Sequence, residues 1–269
     1  MPRIIAVIQA RMGSSRLPGK VLLDLGGQPM LARVVERVRR AHSLNDVLVA
    51  TTSEAQDDRV AEFCQALGTP VYRGSDHDVL DRFYQAARIC EAEAIVRITA
   101  DCPVIDPVEV DHTVGKFLRS GSDFTTNRLP PPWHRTYPIG LDTEVCTFNA
   151  LERAWKEADQ AFQREHVMPY FYEGIPIQDL NSRKDAKAVS PRGFLVLVLN
   201  HDPDYGSLRW TVDTPEDLEL MRKVYLHFEG RDDFSWLDVL GFFEQRPDLV
   251  NTNSGIQPKT VFDVDHRWK

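Results

Sequence analysis

Three cations, two glycines and two serines crowd the stretch Ala10-Arg11-Met12-Gly13-Ser14-Ser15-Arg16-Leu17-Pro18-Gly19-Lys20. Small residues let backbone amides approach an anion, and Arg11, Arg16 and Lys20 add charge, which is the chemistry of a polyphosphate cradle. Two familiar cradles are excluded by spacing. No Ser or Thr follows Lys20, and Gly13 and Gly19 lie too far apart for a dinucleotide fingerprint. The plain alternative is a solvated basic turn. Against it stands the position of the loop, directly after the apolar run at residues 4–9, which reads as a buried strand.

Two aspartates have a similar address. Asp101 follows the apolar run at 94–99 and Asp213 follows the run at 208–212, so both carboxylates are expected at strand ends. Transfer of a nucleotidyl group needs an oxygen nucleophile to attack the α-phosphate while pyrophosphate leaves. The protein must neutralise charge and align the partners, with no nucleophile of its own. Mg²⁺ serves both needs and takes one or two carboxylates, phosphate oxygens and water completing its octahedron. Asp101 and Asp213 meet that demand. As plain alternatives, Asp101 caps the turn before Pro103, and Asp213 caps the helix begun at Pro215. Thr214 is the better cap there, with Asp217 closing a capping box.

Asp76-His77-Asp78 is weighed separately, because paired aspartates after a strand hold the metal of many glycosyltransferases. The rival function is therefore sugar transfer from a nucleotide sugar through Asp76 and Asp78. The plain reading is that Ser75 or Asp76 caps the next helix. Three cations in the first turn suit a triphosphate better than the diphosphate of a nucleotide sugar.

These residues need a scaffold, and its pattern is regular at first. Strands are expected at 4–9, 46–52, 70–72 and 94–99, with helices at 30–41, 54–67, 79–92 and 107–119 between or after them. Asp106-Pro107 reads as an N-cap and first-turn pair. Four strand–helix alternations predict an α/β fold, a mostly parallel sheet with helices on both faces and ligands outside the carboxyl ends of its strands. The pattern then changes. Residues 127–141 are too proline-rich for a central strand. Beyond them strands are expected at 142–148, 194–199 and 208–212, and helices at 149–158, 214–228 and 235–244, with a short proline-broken helix at 164–172. One domain over residues 1–245, with an inserted excursion at about 123–207 and a polar tail at 246–269, is the expected organisation.

The totals set bounds. With 32 Lys and Arg against 40 Asp and Glu, the net charge is −8, which disfavours a sequence-independent grip on nucleic acid. The loop cations are then a local feature of an acidic protein. Cys64, Cys90, Cys102 and Cys146 lack metal or redox spacing and read as small core residues. No signal-peptide pattern is present and no apolar run approaches the roughly 18 residues of a membrane span, so a cytoplasmic protein without membrane contact is expected.

The loop 11–20 resembles the signature of the cytidylyltransferases that activate acidic sugars, the makers of CMP-sialic acid and CMP-KDO. Residues 97–107, 138–145 and 211–218 resemble the same family in the same order, and most closely the branch named for spore coat polysaccharide biosynthesis protein F. The resemblance implies a nucleotide-diphospho-sugar transferase (Rossmann-like) fold, a homodimer, and a Mg²⁺-dependent transfer of CMP from CTP to an anionic sugar in surface polysaccharide synthesis. It places the metal on Asp101 and Asp213, and catalysis on these two with Arg11 and Lys20. Nucleotide binding falls to Ala10, Arg11, Gly13, Ser14, Ser15, Arg16, Lys20, Thr99 and Asp101. Thr99 stands two before the metal aspartate, where the KDO and sialic acid enzymes carry base-reading groups, so cytosine selection does not transfer residue by residue, and UTP and GTP stay open. The excursion is the expected acceptor site. Arg128, His134, Arg135, Tyr137, Glu144, Arg164 and His166 are its candidates, arginine being matched to a carboxylate. His166 is a candidate general base.

Overall fold

The computed structural model describes residues 2–256, 260 and 262. One mixed sheet carries the strands in the order β3-β2-β1-β4-β6-β5-β8-β7. They are β1 (Ile4–Gln9), β2 (Asp46–Thr52), β3 (Val71–Gly74), β4 (Ala94–Thr99), β5 (Phe124–Thr126), β6 (Glu144–Thr147), β7 (Ala186–Val189) and β8 (Leu195–Val198). Only β6 and β7 run against the others. Helices α1 (Met30–Arg39), α2 (Asp58–Ala66), α3 (Val79–Ile89) and α4 (Pro107–Ser120) link the first strands. The second half adds α5 (Phe148–Glu157), α6 (Ala161–His166), α7 (Pro169–Tyr172), α8 (Ile177–Leu180), α9 (Pro215–His227) and α10 (Trp236–Gln245). Among the described residues no helix is long and apolar enough to cross a membrane.

Burial on both faces explains the uninterrupted apolar sequence of β1. Its Ile4, Ala6 and Ile8 pack with Leu31, Val34 and Val38 of α1, while Ile5 and Val7 pack with Leu80, Phe83 and Ala87 of α3. Period-two alternation thus feeds two separate cores. A third core joins α9 and α10 to Trp210, Val212, Leu25 and Leu249. Two of the three arginines of α1 are buried too. Arg33 and Arg37 hold the carbonyls of Gly230, Asp232 and Phe234, fixing the segment between α9 and α10.

The caps follow the sequence closely. The Asp106 side chain accepts from the Val108 and Glu109 amides, and Thr214 and Asp217 form a reciprocal capping box on α9. Asp78 caps α3, accepting from the Asp81 amide at 2.9 Å, whereas Ser75 or Asp76 was expected; Ser75 Oγ instead accepts from the Asp78 amide.

The excursion at 123–207 is not a separate lobe. It supplies β5, β6, β7 and β8 to the common sheet. Two of these strands, β5 and β7, carry too little pattern to be anticipated, being three and four residues long. The expected strand at 208–212 is absent as a ladder. The segment is extended and buried, but its bonds go to loops: Ile139 and Leu208, Trp210 and Ile139, Val212 and Asp101 are paired at 2.7–2.8 Å. The apolar pattern there reflects burial of Trp210 and Val212, and loops rather than a neighbouring strand hold the segment. Gly140 makes the close approach of these loops feasible. It has φ +113°, and a Cβ at this position would lie 2.8 Å from the carbonyl carbon of Trp210.

Candidate active site

Beyond β1 the chain turns through a loop closed by its own backbone. The Gly19 amide donates to Met12 O at 2.9 Å, and the Met12 amide to Asp57 Oδ1 at 2.6 Å. Gly19 adopts the left-handed conformation, φ +70°, which turns the chain into a short 3-10 helix over Lys20–Leu22. Lys20 is thereby carried inward and is 8% exposed. Gly13 and Ser14 are half-buried and Ser15 is exposed.

Lys20 Nζ lies 2.8 Å from each of three oxygens: Asp101 Oδ2, Asp213 Oδ1 and Val212 O. The strand end and the extended segment therefore deliver their aspartates to one point. Burial pulls the pKa of the Lys20 ammonium down, but the two carboxylates outweigh it and leave it above the usual lysine value. Burial likewise acts to raise the Asp213 pKa, and Lys20 and Arg16 overcome that and hold it well below the ordinary carboxylate range. Arg16 reaches Asp213 Oδ2 at 2.9 Å. Both carboxylates keep about a quarter of their side-chain surface open, 24% for Asp101 and 23% for Asp213. Two hard oxygen donors facing a common cation form the donor set that Mg²⁺ needs from a protein. Among the described residues no group of three or more His, Cys, Asp or Glu side chains that could hold a metal exists.

The family model for cytidylyltransferases matches residues 5–188. This chain belongs to the cytidylyltransferases. It is 31% identical to the spore coat polysaccharide biosynthesis protein SpsF of Bacillus subtilis, over 93% of this chain and 98% of that protein. It is 38% identical to a 3-deoxy-manno-octulosonate cytidylyltransferase of Anaeromyxobacter dehalogenans, over 83% and 98% of the two chains. A solved cytidylyltransferase from Leptospira borgpetersenii superposes with a TM-score of 0.81 at 30% identity, covering 96% of this chain and all of that one.

Arg11, the remaining loop cation of this cytidylyltransferase, pairs with Asp76 at 3.2 Å. Asp78 pairs with Arg164 at 2.6 Å while capping α3. The paired aspartates of the glycosyltransferase alternative are thus each committed to an arginine. Thr99 ends β4 opposite Gln9, with its hydroxyl 3.3 Å from Cys102 Sγ.

The acceptor candidates separate into four places. Arg128, Arg135 and Glu144 come together with Arg97 and Asp142 in a charged ladder. Arg97 bonds Glu144, Arg128 lies 3.5 Å from Asp142 and 3.9 Å from Glu144, and Arg135 bonds Asp142. Arg97 also donates to Gln9 Oε1 at 3.1 Å, which ties the ladder to the last residue before the loop. Tyr137 turns elsewhere, into an aromatic group with His201 and Trp236. Arg164 pins α6 by donating to the Trp155 and Ala158 carbonyls, and His166 closes that helix. His134 is more than half exposed and pairs with Asp204.

Arg82, Arg97 and Arg209 are not legible as site residues in the sequence, because an arginine in an amphipathic or apolar stretch reads as exposed. Arg82 is the extreme case: fully buried, it donates through Nη1 to Ser75 O, while Nε and Nη2 have no hydrogen-bond partner among the described residues. Burial and the nearby Arg11 lower its pKa to about 10. Its signal was indirect, namely its place one turn into the helix that follows the C-terminal end of β3.

Proposed function

We propose that this cytidylyltransferase transfers CMP from CTP to an acidic sugar of the KDO or nonulosonic type, with Mg²⁺, at the point where Lys20 meets Asp101 and Asp213. The carrying observation is that one buried ammonium lies 2.8 Å from both carboxylates. A hydroxyl oxygen of the acceptor forms a bond to the α-phosphorus, the bond from that phosphorus to the bridging oxygen breaks, and pyrophosphate leaves. The acceptor proton passes to solvent. Lys20, Arg16 and Arg11 balance the triphosphate charge, and the small residues of the loop leave backbone amides accessible to it. Asp101 and Asp213 would hold the Mg²⁺, which supplies charge neutralisation and alignment of the phosphates when bound.

The ladder suits an anionic acceptor. It holds three arginines against two carboxylates, and the planar fork of Arg128 or Arg135 matches a sugar carboxylate. Arg82 supports a pyrimidine reading. Its two unmet N–H groups form one edge of the guanidinium, and cytosine offers adjacent acceptors at O2 and N3, whereas uracil presents an N–H at N3. A homodimer in the cytoplasm serving surface polysaccharide synthesis completes the reading, and sedimentation tests the dimer.

Pyrophosphate release, measured over a panel of nucleoside triphosphates and sugar acids, tests the function. CTP with a sugar acid should give Mg²⁺-dependent release. Release with no pair in the panel, or with neutral sugars alone, would contradict the proposal.

A further inference from the structure

Asp213 has two carboxylate oxygens with different surroundings. Oδ1 faces Lys20 and, across it, Asp101; Oδ2 accepts from Arg16 at 2.9 Å and from Arg209 at 2.8 Å. Lys20 and Arg16 belong to the loop that would grip the phosphates. Arg209 does not, since its side chain is only 5% exposed and lies behind Asp213. Its guanidinium is itself held by Asp217, which is completely buried, through two bonds of 2.9 Å. Asp217 Oδ2 also accepts from the Asp213 and Thr214 amides, and its Oδ1 from Asn253 Nδ2 at 2.8 Å. Asn253 donates again to the Arg209 carbonyl. The capping box on α9 needs only Thr214 and Asp217, so it leaves Arg209 unexplained.

We propose that Arg209 is a positioning residue that fixes the carboxylate of Asp213, with Asp217 and Asn253 fixing Arg209 in turn. The inference rests on the assignment of Asp213 to the metal. A carboxylate on the surface of a loop samples several rotamers; here Oδ2 is tied from behind and the backbone amide of Asp213 is tied to the same Asp217. When a nucleotide draws Lys20 and Arg16 to its phosphates, the Arg209 bond is the one that persists. Oδ1 then stays directed toward Asp101 with no ordering cost at the moment of binding. Completing every acceptor of Asp217 is what lets a buried carboxylate and guanidinium serve as a rigid support.

Binding of Mn²⁺ to the CTP complex, read from the free-ion electron paramagnetic resonance signal, tests this without turnover. Because Arg209→Met alone would strand the buried Asp217 charge, the paired variant Arg209→Met/Asp217→Asn is measured as well, alongside Arg209→Lys and Asp213→Asn. The paired variant should weaken Mn²⁺ binding about tenfold or more, in the range found when residues behind metal ligands are removed. CTP binding in EDTA should be unchanged, and Arg209→Lys should recover part of the loss. A folded paired variant that binds Mn²⁺ as tightly as the parent, while Asp213→Asn does not, would overturn the positioning role alone. Parental Mn²⁺ binding by Asp213→Asn would instead remove Asp213 from the metal, and the inference with it.

Discussion

The ammonium of Lys20 and the carboxylate of Asp101 meet at 2.8 Å although 81 residues separate them in the chain. With Asp213 on the other side, the lysine stands where two carboxylates would otherwise repel each other. Arg16, 2.9 Å from Asp213, supplies the second cation, so two cations face two carboxylates, and a nucleotide–metal complex would exchange one cation for another while Lys20 moves to phosphate.

Lys20→Met should lower turnover by about a hundredfold or more, the scale seen when one charge-stabilising donor is removed. It should also leave Asp101 and Asp213 facing each other without their shared cation. Mg²⁺ should then raise the melting temperature of Lys20→Met more than that of the parent. Equal shifts in differential scanning fluorimetry would argue against the two carboxylates sharing a cation site.

The pH dependence of stability has a definite sign. Burial favours the neutral form of Asp142, but Arg135 and Arg128 outweigh it and lower its pKa, as Lys20 and Arg16 do for Asp213. The unfolded chain binds protons at these groups near the ordinary value of about 3.9, the folded chain only at lower pH. Their stabilisation is complete above about pH 4 and is lost as pH falls through the folded values. Lys20 acts in the opposite sense, its contribution being full below about pH 10 and lost as pH rises through its elevated value. Urea unfolding should therefore show parent and Asp142→Asn far apart at pH 7 and converging below pH 4. A constant gap across that range would contradict the assignment.

Arg82 should separate function from stability. A buried guanidinium with two unmet N–H groups is costly, so Arg82→Met should leave the free protein at least as stable as the parent. The same variant should lose roughly 1–3 kcal/mol of discrimination between CTP and UTP, the range for a bidentate arginine–base contact. Competition binding measures it. An unchanged CTP to UTP ratio in a folded variant would remove Arg82 from base recognition.

Much of this molecule is readable from its sequence where the signal is local. The doubly buried β1, the caps at Asp106 and Thr214, and the place of Asp101 just after β4 all follow from short-range pattern. What is missed depends on distant partners. Residues 208–212 look like a strand because Trp210 and Val212 are buried, yet they bond to loops at 139 and 101. Arg209 has no meaning until Asp217 and Asn253 fold onto it. Tyr137 sits among candidate acceptor residues in sequence and points to Trp236 in space.

The proposed CMP transfer at Lys20, Asp101 and Asp213 is tested by following the α-phosphorus. CTP labelled at that atom is incubated with Mg²⁺ and a panel of sugar acids, with Asp101→Asn and Asp213→Asn in parallel. The label should pass into a nucleotide sugar in step with pyrophosphate release in the parent, and in neither variant. Label remaining in free nucleotide with every acceptor, or a fully active Asp101→Asn, would contradict the account.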